Sequence, residues 1–139
     1  MRKLLVLLLS VLLLFGLMAC GDSGNGNATS GNAIAAFLEE DDAFYDTIAP
    51  LGAALLGDDG RIDLLAGDGD ELIIAFIYGS DVDTSGVSDM LEEILTYTAG
   101  IFEEIAEDLR DELSLASVRV TVRFMDADNN VLAEQSYYS

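Results

Sequence analysis

Residues 71–78 read ELIIAFIY, the most apolar run beyond the N-terminal segment. Its short length and its Ile, Phe and Tyr content mark a strand. The apolar residues do not alternate with polar ones, so both faces of the strand are covered. A central strand, or an edge strand used in a partner interface, would each account for that.

Working outward, Gly67-Asp68-Gly69-Asp70 is a turn, and Arg61–Ala66 (RIDLLA) is the strand before it. On the other side, Val87–Leu113 carries Val87, Leu91, Ile94, Thr98, Ile101, Ile105, Leu109 and Leu113 in one stripe. That spacing predicts one long helix with its acids off the stripe. Gly100 sits mid-helix at a cost of about 1 kcal/mol against Ala, which suggests a close contact or a bend. Ser117–Met125 (SVRVTVRFM) alternates strictly, so Val118, Val120, Val122 and Phe124 share a face. It reads as a half-buried strand. Asp126–Asn130 is a turn in which Asn129 or Asn130 takes a positive φ, and Val131–Tyr138 closes a hairpin. Upstream, Ala33–Ala49 is helical, with Asn32 as N-cap. Pro50 ends or kinks it near Ala49, and a short turn runs on to Leu56.

The order is helix, hairpin, helix, hairpin. The simplest α+β layering for it is a four-stranded antiparallel sheet with helices on one face.

The N-terminus is of another kind. Arg2 and Lys3 precede Leu4–Met18, an almost unbroken apolar run of fifteen residues. This fits the apolar stretch of an export signal and is shorter than the roughly 20 residues of a spanning helix. Leu17-Met18-Ala19-Cys20 resembles the lipobox of bacterial lipoproteins. By that resemblance the chain is cut after Ala19, and Cys20 carries the lipid. A single Cys has no intramolecular disulfide partner, which agrees with a thiol consumed by acylation. Residues 21–32 (GDSGNGNATSGN) read as a flexible tether. The expected organisation is a leader over 1–19, lipidated Cys20 and tether over 20–32, and one domain over 33–139.

The full chain has 6 Lys+Arg and 26 Asp+Glu, a formal charge of −20, and no His. Loss of the leader leaves four Arg (61, 110, 119, 123), no Lys and a charge of −22. Nucleic-acid binding needs a basic face, and four Arg among 26 acids cannot supply one. Zinc sites of Cys and His and Ser–His, Cys–His or Ser–Lys nucleophile pairs are excluded too. Carboxylate-pair glycoside hydrolysis has no pair that stands out, so no enzyme is expected. The same charge disfavours flat binding to anionic lipid.

From LIIAFIY, the Asp-bearing loop, the amphipathic helix, VRVTVRF and the Asp-rich turn, the segment Asp70–Ser139 resembles a family of small bacterial lipoproteins carrying a domain of unknown function. The turn typically reads Asp-Gly in that family and is Asp128-Asn129 here. The resemblance implies an envelope location and this architecture, and it brings no activity.

Two constellations are candidates for binding. Asp81, Asp83, Ser85, Val87, Asp89 and Glu92, with Gly86 at the sixth position, follow calcium-loop spacing. Ser88 stands where such loops usually place an aliphatic residue, and the incoming segment reads as a strand. The competing reading is a strand-to-helix loop with Ser85 or Ser88 capping and acids favouring the helix N-terminus. Arg119 and Arg123, with Thr121 between them, form a candidate anion site; the competing reading pairs them with Glu134 or Asp63. The expectation is a membrane-anchored protein- or peptide-binding module with no required cofactor, calcium binding being the alternative.

Overall fold

Close to the C-terminal end of the sequence, the alternating segment Arg119–Met125 lies beside Glu71–Ile77 in one sheet. The structure is a computed structural model and describes residues 30–139. The expected leader, Cys20 and the tether up to residue 29 lie outside the described residues. Helices α1 (Ser30–Glu40) and α2 (Asp42–Leu56) precede strands β1 (Arg61–Ala66) and β2 (Glu71–Ile77). Helices α3 (Ser88–Tyr97) and α4 (Ala99–Glu112) then lead to β3 (Arg119–Met125) and β4 (Val131–Tyr138). No helix among the described residues is long and apolar enough to cross a membrane.

The sheet order is β1-β2-β3-β4. The β1/β2 and β3/β4 pairs are antiparallel, whereas β2 and β3 run parallel, with Leu72 opposite Val120 and Phe76 opposite Phe124. The sheet is therefore mixed, which corrects the antiparallel expectation. The cause lies in the connection. The α3–α4 segment makes one return pass along the sheet and delivers the chain to the end where β2 began, so the next strand must run parallel.

β2 is buried at all seven positions and is a central strand. Leu72, Ile74 and Phe76 join the core that Ile34, Ile48, Leu95 and Phe102 supply, one from each helix. The described helices thus pack on one side of the sheet. Ile73, Ala75 and Ile77 alternate to the other side and stay outside that cluster. Phe76 stacks on Phe124 at 5.2 Å across the parallel pair.

The helix boundaries depart from the expected ones at four points. The single helix Ala33–Ala49 is two, because Asp41 interrupts it. Its Oδ1 accepts from the N–H of Ala43 (3.0 Å) and of Phe44 (3.2 Å), capping a new helix. The first helix also starts at Ser30, before the expected cap. Pro50 neither ends nor starts a helix but lies inside α2. Its ring costs one backbone bond, and burial of Ile48, Gly52 and Leu56 along α2 offsets that loss. Gly52 is needed there, since an added Cβ would stand 2.2 Å from the Ile62 side chain on β1. The long helix breaks at Thr98, whose Oγ1 donates to the Ile94 carbonyl at 2.8 Å. Such back-bonding bends helices. Gly100 is not the bend and makes no close contact, since a Cβ there meets nothing within 4 Å.

Candidate binding site

A cleft opens where the α1–α2 corner faces α4. The Asp41 cap turns the chain so that Phe44 meets Phe37 edge-on, with ring centroids 5.4 Å apart. Opposite stand Ile101, Ile105 and Leu109, four residues apart on α4 and therefore on one face. One step around that helix, Glu104, Asp108 and Glu112 repeat the same spacing along the rim, and Asp41 lies across from them. The cleft has room of about 50 Å³, enough for about three or four waters or the end of one apolar side chain. Burial, followed by the charges of Asp41 and Asp108, raises the Glu112 pKa above the usual carboxylate range. The hydroxyl of Thr47 donates to the Ala43 carbonyl at 3.0 Å.

The side of the sheet away from the helices holds a polar network. Glu71, 8 % exposed, accepts from Thr121 Oγ1 at 2.6 Å and from Arg119 Nη2 at 2.9 Å. Thr121 Oγ1 also meets Ser136 Oγ at 2.9 Å on β4. Burial alone would raise the Glu71 pKa. The hydrogen bonds from Thr121 and Arg119, the Arg119 charge and the Asp68 N–H outweigh it and hold the carboxyl below its usual range. Arg123 pairs with Glu134, its register partner on β4, and Arg61 with Asp63 at 3.5 Å. Arg119 and Arg123 thus share one face, and each guanidinium is held by a carboxylate. Such a network fixes the faces of β2, β3 and β4 together. It leaves Glu71 a weak base.

The acidic loop after β2 is built around Asp83. Its Oδ1 accepts from both the N–H (3.0 Å) and the hydroxyl (2.5 Å) of Ser85, and these bonds lower its pKa. Gly86 takes φ +77, the left-handed turn its spacing required. Val87 stands at the N-cap of α3 with no side-chain cap bond, so neither Ser85 nor Ser88 caps it. Asp81, Asp83, Asp89 and Glu92 are exposed. Among the described residues, no three His, Cys, Asp or Glu side chains gather in an arrangement that holds a metal. The second acidic segment is a turn, with Asp126 Oδ1 accepting from the N–H of Asp128 and Asn130, and Asn129 at φ +66.

A family model described as a domain of unknown function, DUF4854, matches residues 34–137, about three quarters of the chain. The chain belongs to the DUF4854 family. The DUF4854 match opens at Ile34, a fully buried core residue, and ends at Tyr137 on β4, so it takes in both walls of the cleft and the whole polar network. No curated protein and no solved structure matches the chain.

Two features of this DUF4854 domain escaped the sequence reading. Glu71 was read only as the start of an apolar strand, and its partnership with Arg119 and Thr121 depends on the parallel register. The cleft depends on the corner at Asp41. Its signals were present: an Asp three residues before Phe44, and two rows on α4, one apolar and one acidic, each with a four-residue step.

Proposed function

We propose that this chain is an exported, lipid-anchored module of the bacterial cell envelope that binds another protein or a peptide and catalyses no reaction. The export and anchoring parts rest on the basic start, the fifteen-residue apolar run and the Leu17–Cys20 motif. The binding part rests on the cleft, an apolar trough with an acidic rim. A tether of nine small, mostly polar residues, 21–29, ahead of α1 lets such a module reach about 15–18 Å from its anchor, close enough to meet neighbours in the same membrane.

Two measurements test the reading. Mass spectrometry of the N-terminal peptide is expected to show a diacylglyceryl group on Cys20, and an unmodified thiol there would remove the anchor. A photo-crosslinking residue at Thr47 is expected to trap a discrete envelope protein in living cells, while the same residue at Tyr97, 81 % exposed on α3, traps little. Equal, diffuse labelling from both positions would sink the binding assignment. A crosslink within the same chain would give the cleft to the protein's own N-terminal segment.

A further inference from the structure

At the end of the sheet where β2 and β3 begin and β4 finishes, Asp68, Asp70, Ser117, Arg119 and Tyr138 line an open recess of about 250 Å³. It shares no residue with the cleft. Asp70 Oδ1 and Arg119 Nε are buried and have no hydrogen-bond partner. They are the two such side-chain atoms among the described residues, and both belong to residues of this one wall. Buried donors and acceptors are nearly always satisfied, because an unmade bond forfeits the hydration given up on burial. One of these atoms accepts and the other donates, so a ligand that answers both carries a donor beside an acceptor. We infer that the recess binds the amino terminus of a peptide, with the α-ammonium on Asp70 and the first carbonyl oxygen on the Arg119 Nε–H.

The charges of the wall select this ligand. Asp68 and Asp70 supply two carboxylates. The Arg119 guanidinium is matched by Glu71 at 2.9 Å, so toward the recess it offers a hydrogen bond more than a free charge. The wall therefore suits a cationic donor next to a neutral acceptor, which an α-ammonium and its adjoining carbonyl provide. A metal ion would serve Asp70 and leave the Arg119 Nε–H unmet, and among the described residues no three acids gather to hold one. A phosphate or carboxylate would serve Arg119 and meet Asp68 and Asp70 with like charge. A lysine ammonium has no acceptor beside it. A free amino acid has the ammonium, but its carboxylate brings a further negative charge to the same wall. The Asp70 backbone is pinned, its carbonyl accepting from the Arg119 N–H at 2.9 Å. Its carboxylate torsion is soft, so Oδ1 turns onto an ammonium with the strands unmoved. The Tyr138 ring, 63 % exposed, presents an aromatic face to the same cation. The recess is smaller than the roughly 300–1,000 Å³ of pockets for drug-sized ligands. One terminal residue enters it, and the rest of the peptide trails into solvent.

The test titrates the full chain in detergent with Ala-Ala-Ala amide and follows the backbone amide signals of Ser117, Arg119 and Tyr138 by NMR. The controls are the same peptide acetylated at its amino terminus, and free alanine. Asp70→Asn removes the carboxylate at constant size. Ser117→Trp fills the recess from an exposed position with the charge unchanged, and it decides the matter if Asp70→Asn fails to fold. Asp58→Asn makes the same charge change at an exposed position outside the recess. Arg119 is kept, because Glu71 depends on it. The expected result is saturable shifts of those signals with the free-amino peptide. Acetylation, Asp70→Asn and Ser117→Trp should each weaken binding by about fivefold or more, and Asp58→Asn should change it little. Binding should also fade as the pH rises through about 8, where an α-amino group loses its proton. Equal binding of the acetylated peptide, no saturable shift, or equal losses for Asp58→Asn and Asp70→Asn would overturn the inference. Free alanine binding as tightly as the peptide would overturn it in favour of a free amino acid. None of these outcomes bears on crosslinking from Thr47, so the cleft stands or falls separately.

Discussion

The phenol of Tyr137 on β4 donates a 2.7 Å hydrogen bond to the carbonyl of Leu95 on α3. That carbonyl lies in the last turn of α3, where in-helix partners run out, because Thr98 breaks the helix three residues on. The bond is buried, and the ring also stacks on Phe102 at 5.3 Å. One side chain thereby ties the far edge strand to both halves of the crossover. Tyr137→Phe keeps the ring and leaves the carbonyl short of a donor, so it should lower unfolding stability by about 1–3 kcal/mol, as read by chemical denaturation.

The same phenol sets an alkaline limit. Burial, with the Glu103 charge adding to it, pushes the Tyr137 pKa up to about 12 from 10.0. Between these values the unfolded chain has released a proton that the native chain keeps, so stability falls with rising pH. The contribution is complete below about pH 10 and is lost by about pH 12. Tyr78, raised by burial, acts in the same direction. Tyr137→Phe should flatten the drop in melting temperature across that window.

At the acid end, Glu71 and Glu112 oppose each other. The lowered pKa of Glu71 gives stability that is present above the unfolded value and lost as pH falls through the folded one. The raised pKa of Glu112 has the opposite sign, since its ionised form is disfavoured in the native chain. At pH 7, Glu71→Gln should lower the melting temperature and Glu112→Gln should raise it. Both differences should shrink as the pH is taken below the usual carboxylate range.

Two backbone positions offer stabilising substitutions. Gly100 lies in α4 with no neighbour that a Cβ would meet, so Gly100→Ala should add about 0.5–1 kcal/mol. Ser114 follows the end of α4 at φ +54, where a side chain costs about 1 kcal/mol, so Ser114→Gly should add a similar amount. A melt of each single variant checks both.

For the acidic loop, calcium and magnesium at equal ionic strength should raise the melting temperature by equal amounts, through screening of a very negative chain. Asp83→Ala should cost the same stability in either salt, because its carboxylate holds the turn at Ser85. A calcium-selective shift that Asp83→Ala abolishes would establish the metal reading in place of this one.

Periodicity carried most of the fold. The strict alternation of Arg119–Met125 and the unbroken apolar run at Leu72–Ile77 identify their strands because burial on one face or two is written directly into residue type. Strand direction was not written there. It depends on how many passes the intervening helix makes, and that is a property of the connection. The breaks at Asp41 and Thr98 were hidden for a related reason. Each is a single side-chain-to-backbone bond inside a stripe that continues across it, so the hydrophobic pattern stays intact while the axis turns. The cleft was out of reach because its walls come from helices about sixty residues apart in sequence.

The parallel pairing at the centre has a consequence for synthesis. β2 is completed well before β3, and the forty or so residues between them must emerge first. During that interval a strand that is apolar on both faces has β1 along one edge and nothing along the other. Open edges of this kind recruit strands from other chains. The nascent polypeptide is therefore most exposed to misassembly while α3 and α4 are being made, until Val120, Val122 and Phe124 arrive to cover that edge.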